Sequence, residues 1–299
     1  MNRVGIIGLG TISKYYKDAL SNSPFFNLVA VCDKVSNPTS IDTFKGVDFF
    51  NDYKQMIKSA NIDYVIICTP PKTHYEIANY ALNNGVSVLV EKPAVLDLKS
   101  FDLLLETAKN NNLVFDVILH WQTGAEVLGF NQNFSKDKIQ GIEIFINDNY
   151  SLDGKTIKPE KLSLEGTWVD SGVNALSMLK LWFNFDTVTV VDKKLQLCKN
   201  SNLPIMCDIS LTIDGTPVRI KIDWRNGETD KYSRFIYDGK PMLISSTNQA
   251  ITYDGKVYDF ATINRLQAHY TNFFKNFNGK SNGLDARKIH EVLFTIRDI

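Results

Sequence analysis

The sequence lacks an excess of charge of either sign. Its 33 lysine and arginine residues balance 33 aspartate and glutamate residues, so the formal net charge is +0 at pH 7. Nucleic acids and anionic membrane surfaces attract proteins that present a positive field, and this composition offers none. We therefore expect no nucleic-acid partner and no membrane partner.

Long apolar runs are also absent. The longest, such as YVIIC at 64–68, fall far short of the ~20 residues that a membrane-spanning helix needs. The N-terminus, MNRVGIIGLG, enters a predicted strand within three residues and leaves no room for the regions of a signal peptide. We expect a cytoplasmic protein.

Cysteine is scarce and shows no metal-binding pattern. Cys32, Cys68, Cys198 and Cys207 form no C-x-x-C pair and are not accompanied by a histidine pair at ligand spacing. Neither a disulfide framework nor a structural zinc site is indicated. We expect buried, reduced thiols and no metal.

The first 120 residues contain an alternation of short apolar runs with longer stretches of helical spacing. Runs so uniformly apolar suit parallel strands that are covered on both faces. The runs are RVGIIGLG (3–10), NLVAVCD (27–33), DYVIICTP (63–70), VSVLVEKP (86–93) and LVFDVILH (113–120). The alternation predicts a doubly wound parallel α/β domain over residues 1–120.

After about residue 121 the pattern changes to strands with two-residue alternation and glycine turns. Two of the links, IDGT at 213–216 and YDGK at 253–256, carry the Asp-Gly hairpin signal. The helices predicted here lie near 170–183, 263–278 and 285–298. These features predict a second α/β domain over residues 121–299, with an open, mostly antiparallel sheet.

The first predicted turn from strand to helix has the form of a dinucleotide-binding loop. GIIGLGTIS contains Gly8, Gly10 and Ser13 in G-x-G-x-x-S spacing, with Thr11 and Ile12 between the last two. The first glycine permits a tight turn, the second lets the backbone approach a pyrophosphate, and the small Ser13 keeps the helix close to the strand. We assign all five residues to cofactor binding.

An acidic residue follows at the expected distance. Asp33 closes the second predicted strand, twenty residues after Ser13. Its carboxylate would accept hydrogen bonds from the adenosine ribose hydroxyls and repel a 2′-phosphate, whereas the neighbouring Lys34 would tolerate that phosphate. The cofactor is therefore NAD or NADP, with NAD favoured.

Polar and ionisable residues collect at the predicted strand ends. In an open parallel sheet these ends share one edge, where ligands bind. The residues are Asp33, Thr69, Pro70, Pro71, Glu91, Lys92, Pro93 and His120. A lysine that leaves a central strand at this edge could reach the nicotinamide end and hydrogen-bond a substrate oxygen, so we favour a functional Lys92 over a solvated turn residue.

An ordered set of four motifs resembles the Gfo/Idh/MocA family of NAD(P)-dependent oxidoreductases. The motifs are VGIIGLGTIS, CTPPKTHYEIA (68–78), VEKP (90–93) and WVDSGVNALSML (168–179). The resemblance covers nearly the whole chain. It implies an N-terminal Rossmann domain, a C-terminal α/β domain with an open, largely antiparallel sheet, and a homodimer or homotetramer.

The resemblance also implies roles for residues near the strand ends. Lys92 corresponds to the family's active-site lysine, and the cofactor path is lined by Thr69, Pro70 and His74, with Glu91 of the VEKP motif as a further cofactor contact.

One motif departs from much of the family, which carries Asp-x-x-x-His on a helix of the second domain. Here Asp170 is followed by Asn174. The two side chains share one helical face and can still address one ligand, but an amide cannot accept the hydroxyl proton. Either Asp170 or Lys92 must accept it, and we favour Asp170, with Lys92 polarising the oxygen.

The same motif is most similar to the aldose 1-dehydrogenase branch, which includes L-arabinose and D-galactose dehydrogenases. The likeness implies oxidation of an aldose at C1 to its aldonolactone, with Asn174, His120 and Asp148 as sugar contacts. A capped strand-end histidine is an equal alternative for His120. Asp148 occupies the place of a substrate-binding glutamate, but its loop lacks the branch's tryptophan and histidine, which leaves the sugar open.

Two further functions remain open at this point. One is a dehydrogenase of an inositol, an amino sugar or a nucleotide-linked sugar, and the other is a non-catalytic, nucleotide-binding sugar sensor. The remaining histidines, His269 and His290, fall in predicted late helices, and we interpret both as structural.

Overall fold

The computed structural model describes residues 1–35, 41–225 and 227–299. The chain divides into two compact units. The first unit contains Met1–Leu119 and His269–His290, and the second contains His120–Ala268 and Glu291–Ile299. The first unit thus includes a stretch from the C-terminal part of the chain. The domain limits predicted from the sequence, 1–120 and 121–299, are continuous and stay a prediction.

The first unit contains a parallel sheet. Its strands are β1 (Asn2–Ile7), β2 (Phe26–Cys32), β3 (Asp48–Phe50), β4 (Tyr64–Ile67), β5 (Ser87–Glu91) and β6 (Phe115–Ile118). They lie in the order β3-β2-β1-β4-β5-β6, and all pairs are parallel. Every residue of β4, β5 and β6 is buried, as expected for strands covered on both faces. This doubly wound order confirms the predicted fold class of the N-terminal part.

Helices and aromatic side chains complete the first unit. The helices are α1 (Tyr16–Ser21), α2 (Tyr53–Ser59), α3 (His74–Asn83) and α4 (Leu98–Asn110). Asp52 and Asp97 cap the N-termini of α2 and α4, because their carboxylates accept hydrogen bonds from the backbone N–H groups of Lys54 and Ser100 at 2.9 and 2.8 Å. The core joins strand residues to aromatic rings from the C-terminal part of the chain, which are Tyr270, Phe273, Phe274 and Phe277.

The second unit contains a larger sheet. Its strands are β7 (Ile139–Asn147), β8 (Val188–Leu197), β9 (Pro204–Ile213), β10 (Thr216–Asp223), β11 (Asp230–Tyr237), β12 (Lys240–Ser245), β13 (Ala250–Tyr253) and β14 (Lys256–Asp259). They lie in the order β14-β13-β12-β11-β7-β10-β9-β8. The β7–β10 pair is parallel, and the other pairs are antiparallel. The predicted open, mostly antiparallel sheet is confirmed.

Asp-Gly turns connect three of the antiparallel pairs. Both residues of each turn have positive φ, at 48° and 83° for Asp214 and Gly215 and at 50° and 74° for Asp254 and Gly255. These are the angles of a two-residue type I′ hairpin, which explains why the Asp-Gly signal identified the turns correctly. The third turn of this kind is Asp238-Gly239.

The remaining helices are α5 (Ala125–Asn133), α6 (Val173–Lys180), α7 (Arg265–Asn276) and α8 (Gly283–Asp298). A π turn, Trp168–Gly172, leads directly into α6. Helices α7 and α8 each contribute residues to both units, because the division falls after Ala268 and after His290. Among the helices of the described residues, none is long and apolar enough to cross a membrane.

Candidate active site

The glycine loop follows β1 and has the shape that its sequence predicts. Gly8 has a φ of +95°, and a Cβ there would lie 2.8 Å from the backbone nitrogen of Thr69, so only glycine fits. A Cβ at Gly10 would meet no atom within 4 Å, which leaves the backbone open to a ligand. Ser13 is buried and donates a hydrogen bond to the carbonyl of Gly10 at 2.8 Å. Thr11 is exposed and Ile12 is half-buried.

Asp33 directly follows β2 and is tied to this loop. Its Oδ2 accepts a hydrogen bond from the backbone N–H of Leu9 at 2.8 Å, and its Oδ1 accepts one from Val35 at 2.9 Å. A carboxylate has about four acceptor positions, so ribose hydroxyls could still bind. The open backbone at Gly10 and the anchored carboxylate fit a dinucleotide.

The loop after β4 contains three of the predicted cofactor residues. Thr69 is half-buried and Pro70 is exposed, whereas His74 is buried. The Nε2 atom of His74 lies 2.7 Å from the carbonyl oxygen of Thr69, and its Nδ1 atom lies 2.9 Å from that of Pro93. Burial lowers the pKa of His74. The ring therefore links the loops that follow β4 and β5, and its direct contact with a cofactor stays a prediction.

Glu91 ends β5 with its side chain in the interior of the first unit. Its Oε1 accepts hydrogen bonds from the hydroxyls of Tyr16 and Tyr270 at 2.5 and 2.7 Å, and its Oε2 accepts one from the backbone N–H of Lys92 at 3.2 Å. Burial raises the pKa of Glu91, and these hydrogen bonds act against that rise. The two tyrosines belong to no motif, so sequence analysis missed them. The predicted cofactor contact of Glu91 stays a prediction.

The backbone that follows Glu91 forms a hydrogen bond to a side chain of the C-terminal helix α8. Lys92 is half-buried, and the peptide bond to Pro93 is cis. The backbone N–H of Ala94 donates a hydrogen bond to Nε2 of His290 at 3.0 Å, while Nδ1 of His290 lies 2.7 Å from the carbonyl oxygen of Ala286. Burial lowers the pKa of His290 to about 4, so the ring is neutral and its Nδ1–H is the donor to Ala286. This arrangement agrees with the structural role predicted for His290.

The second unit holds the other predicted catalytic residue. Asp170 is half-buried in the π turn, and its Oδ2 accepts a hydrogen bond from the hydroxyl of Ser171 at 3.2 Å. Asn174 is buried in the first turn of α6. The predicted helix near 170–183 is thus confirmed, but it begins as a π turn, a feature that is frequent at functional sites. His120 lies buried in a short 3₁₀ turn, His120–Thr123, and both interpretations of it stay predictions.

Asp148 follows β7 and forms a buried ion pair that sequence analysis missed. Its Oδ1 lies 2.5 Å from Nζ of Lys231 on β11, and the two side chains are only 10% and 8% exposed. Burial raises the pKa of Asp148 and lowers that of Lys231, and the attraction within the pair opposes both shifts. The charge of Asp170 also raises the pKa of both groups, which places the three charges in one neighbourhood. Lys231 belongs to no motif, and only the fold brings it to Asp148.

No group of three or more His, Cys, Asp or Glu side chains in the ranges 1–35, 41–225 and 227–299 is arranged to hold a metal ion. The first unit therefore contains a dinucleotide loop and a fixed lysine turn, and the second unit, described by itself, contains a partly buried acidic neighbourhood.

Residues 2–119 match the family model described as oxidoreductase family, NAD-binding Rossmann fold, of the Gfo/Idh/MocA proteins. These residues are therefore similar to the NAD-binding Rossmann domain of the Gfo/Idh/MocA oxidoreductases. NAD(P) binding by a Rossmann fold is therefore a family property that agrees with the glycine loop and with Asp33.

The curated relatives of this chain include dehydrogenases of several substrates and glycosyl hydrolase family 109 proteins. Galactose 1-dehydrogenase of Pseudomonas fluorescens is 22% identical over 297 residues, which cover 97% of this chain and 93% of the relative. UDP-N-acetylglucosamine 3-dehydrogenase of Acidithiobacillus ferrooxidans is 30% identical over 122 residues, 38% of this chain and 36% of the relative. The chain spans only part of this enzyme and of five other curated relatives, between 20% and 38% of their own length.

Solved structures agree on the fold of the whole chain. The Acidithiobacillus ferrooxidans UDP-N-acetylglucosamine 3-dehydrogenase has a TM-score of 0.80 at 19% identity and covers 99% of this chain and 97% of its own. A dehydrogenase from Clostridium difficile has a TM-score of 0.81 at 22% identity and covers 99% of both chains. At these identities the likeness establishes the fold alone.

Proposed function

We propose that this protein is an NAD-dependent dehydrogenase that oxidises an aldose at C1 to its aldonolactone. The observation that carries the proposal is the edge of the first sheet. Gly8, Asp33 and Lys92 directly follow β1, β2 and β5, and they therefore place a dinucleotide loop and a fixed lysine at one edge. The match to a galactose 1-dehydrogenase over 97% of the chain supports C1 of an aldose as the reacting centre.

Residues of this chain would polarise the reacting oxygen, accept the proton and bind the sugar. The bound nicotinamide supplies the acceptor for the hydride that leaves C1. Lys92 would donate a hydrogen bond to the C1 oxygen and polarise it, and the carboxylate of Asp170 would take the hydroxyl proton. An anomeric hydroxyl is more acidic than an ordinary alcohol, so a carboxylate suffices as the base. Asn174, His120 and Asp148 would bind the other sugar hydroxyls.

Asp33 supports the choice of NAD over NADP. The Leu9 and Val35 N–H groups hold its carboxylate in place, and a 2′-phosphate brought to this position would meet a negative charge that cannot swing away. Lys34 is exposed and could offset part of this repulsion.

A second candidate is a dehydrogenase of an inositol or a nucleotide-linked sugar. It is favoured by partial matches to UDP-N-acetylglucosamine 3-dehydrogenase and to a myo-inositol 2-dehydrogenase of Thermotoga maritima, the latter 28% identical over 137 residues. A non-catalytic sugar sensor is disfavoured because such a protein needs neither Lys92 nor Asp170.

The test measures nicotinamide absorbance after mixing the protein with NAD or NADP and each sugar of a panel. The panel contains galactose, arabinose, myo-inositol and UDP-N-acetylglucosamine. We expect reduction of NAD with an aldose, formation of a lactone, and loss of turnover in Lys92→Ala with nucleotide affinity retained. Lys99→Ala, which removes an exposed lysine on α4, should leave turnover unchanged. Nucleotide binding without turnover of any aldose would overturn the proposal.

A further inference from the structure

The carboxylate of Glu91 is buried and surrounded by hydrogen-bond donors. Only 7% of the residue is exposed, and two tyrosine hydroxyls and one backbone N–H point at its two oxygens. An ionised carboxylate only accepts hydrogen bonds, whereas a protonated one must also donate. Three donors on two oxygens therefore suit the anion, and they compensate for its removal from water.

The donors come from distant parts of the chain. Tyr16 begins α1, which follows the glycine loop, and Tyr270 lies on α7, 179 residues away from Glu91 in sequence. Their rings also pack together, with centroids 5.0 Å apart, and both are fully or almost fully buried. The glycine-loop helix, the end of β5 and a C-terminal helix thus converge on one carboxylate.

The residues after Glu91 are fixed in the same way. The carbonyl oxygen of Pro93 lies 2.9 Å from Nδ1 of the buried His74, and the N–H of Ala94 donates a hydrogen bond to His290. The backbone on both sides of Lys92 is therefore fastened to α1, α3, α7 and α8 by buried side chains. A turn between a strand and a helix does not require so many side-chain contacts, since a type I or II turn forms without side-chain support.

We propose that Tyr16, Tyr270 and Glu91 form a positioning triad that fixes the backbone of Lys92 and so places its amine for reaction. The proposal rests on the proposed function in so far as Lys92 acts on the substrate. Positioning groups of this kind raise the rate by holding a catalytic group in a productive geometry, and small displacements are costly to the rate.

The first test compares Tyr270→Phe, Tyr16→Phe and Glu91→Gln with a matched control, Tyr53→Phe. The Tyr53 hydroxyl donates to Glu76 at 2.7 Å on the exposed surface of the same unit, so the control removes the same kind of bond elsewhere. At a temperature where every variant is folded, we expect kcat to fall about 10-fold in each triad variant. KM should stay within about twofold of the wild type in all three, and nucleotide affinity within about twofold in the two tyrosine variants, since neither tyrosine is assigned to the cofactor. A lower unfolding temperature with unchanged kcat would show a merely structural triad and overturn the proposal.

The second test does not depend on turnover. An amine-acylating reagent is applied at neutral pH, and mass spectrometry measures the labelling rate of Lys92 relative to that of the exposed Lys99. We expect faster labelling of Lys92 in the triad variants, because an amine released from a fixed backbone samples more orientations, and no change in Tyr53→Phe. Unchanged labelling of Lys92 would refute the triad even if the enzyme is active. Altered labelling without turnover of any sugar would support the triad and count against the proposed function.

Discussion

At the scale of single residues, two Lys–Asp pairs of the second unit show how burial changes the contribution of an ion pair to stability. Lys231 and Asp148 are 2.5 Å apart with side chains 8% and 10% exposed, whereas Lys240 and Asp254 are 2.9 Å apart with side chains 53% and 61% exposed. Removing one partner of a buried pair leaves an uncompensated charge in the interior. Water compensates the same change at the surface.

We predict that Lys231→Met lowers the free energy of unfolding by about 3–5 kcal/mol, because Asp148 then remains buried without its counter-charge. The surface variant Lys240→Met should cost at most about 1 kcal/mol. Urea unfolding at pH 7 measures both values, and the double variant Lys231→Met with Asp148→Asn should recover part of the loss. Equal costs for the two lysine variants would contradict the prediction.

The π turn that carries Asp170 illustrates packing at the scale of an element. A Cβ at Gly172 would lie 2.7 Å from the ring of Trp168, one turn earlier in the same segment. The ring cannot easily move away, because its Nε1–H donates to the carbonyl of Leu293 at 2.9 Å. The backbone of Gly172 has a φ of −61°, which any residue can adopt. Glycine is therefore needed here because a larger side chain would not fit beside Trp168, and not because of its backbone conformation.

We predict that Gly172→Ala lowers the free energy of unfolding by about 1–3 kcal/mol through overpacking. Gly141→Ala in β7 is the control, because a Cβ there would meet its nearest neighbours at an ordinary 3.7 Å. That change should leave stability equal or higher by up to about 1 kcal/mol, since alanine reduces the entropy of the unfolded chain. Denaturant unfolding of the two variants checks the contrast, and a more stable Gly172→Ala protein would contradict it.

At the scale of the whole molecule, buried titratable groups link folding to pH in opposite directions. Burial raises the pKa of Asp116 on β6 from an ordinary 3.8 to about 7, against hydrogen bonds from the N–H groups of Asn282 and Val117. Between these values the folded protein holds a proton that the unfolded chain has lost, so stability falls as pH rises from about 4 to about 7. His290, whose pKa is lowered to about 4, makes stability fall as pH drops below its ordinary 6.5.

A comparison of the wild type with Asp116→Asn isolates the aspartate, because His290 contributes equally to both proteins. The amide keeps an oxygen to accept the Asn282 N–H, which lies 2.9 Å from Oδ1 of Asp116, but it cannot ionise. We predict that the variant gains stability relative to the wild type as pH rises from 4 to 7, by up to about 4 kcal/mol. Urea unfolding across this range measures the difference. A difference that does not change with pH would contradict the prediction.

Some elements escaped prediction for local physical reasons. Helix α5 contains Gly129, a weak helix former, which is kept because a Cβ there would collide with the ring of Phe260. Strand β12 contains Pro241, a residue that argues against a strand although it is tolerated near a strand's first residue. Strand β3 has only three residues, too few to show a period.

Local sequence patterns alone predict five of the six strands of the first sheet, two of the Asp-Gly hairpins of the second, the glycine loop and the order of the family motifs. These features depend on periodicity, turn chemistry and spacing, which a few neighbouring residues encode. Only the folded chain brings Tyr16 and Tyr270 to Glu91 and Lys231 to Asp148. Those partners lie 75, 179 and 83 residues apart, and they meet only because burying the sheets brings polar groups together that must then satisfy one another.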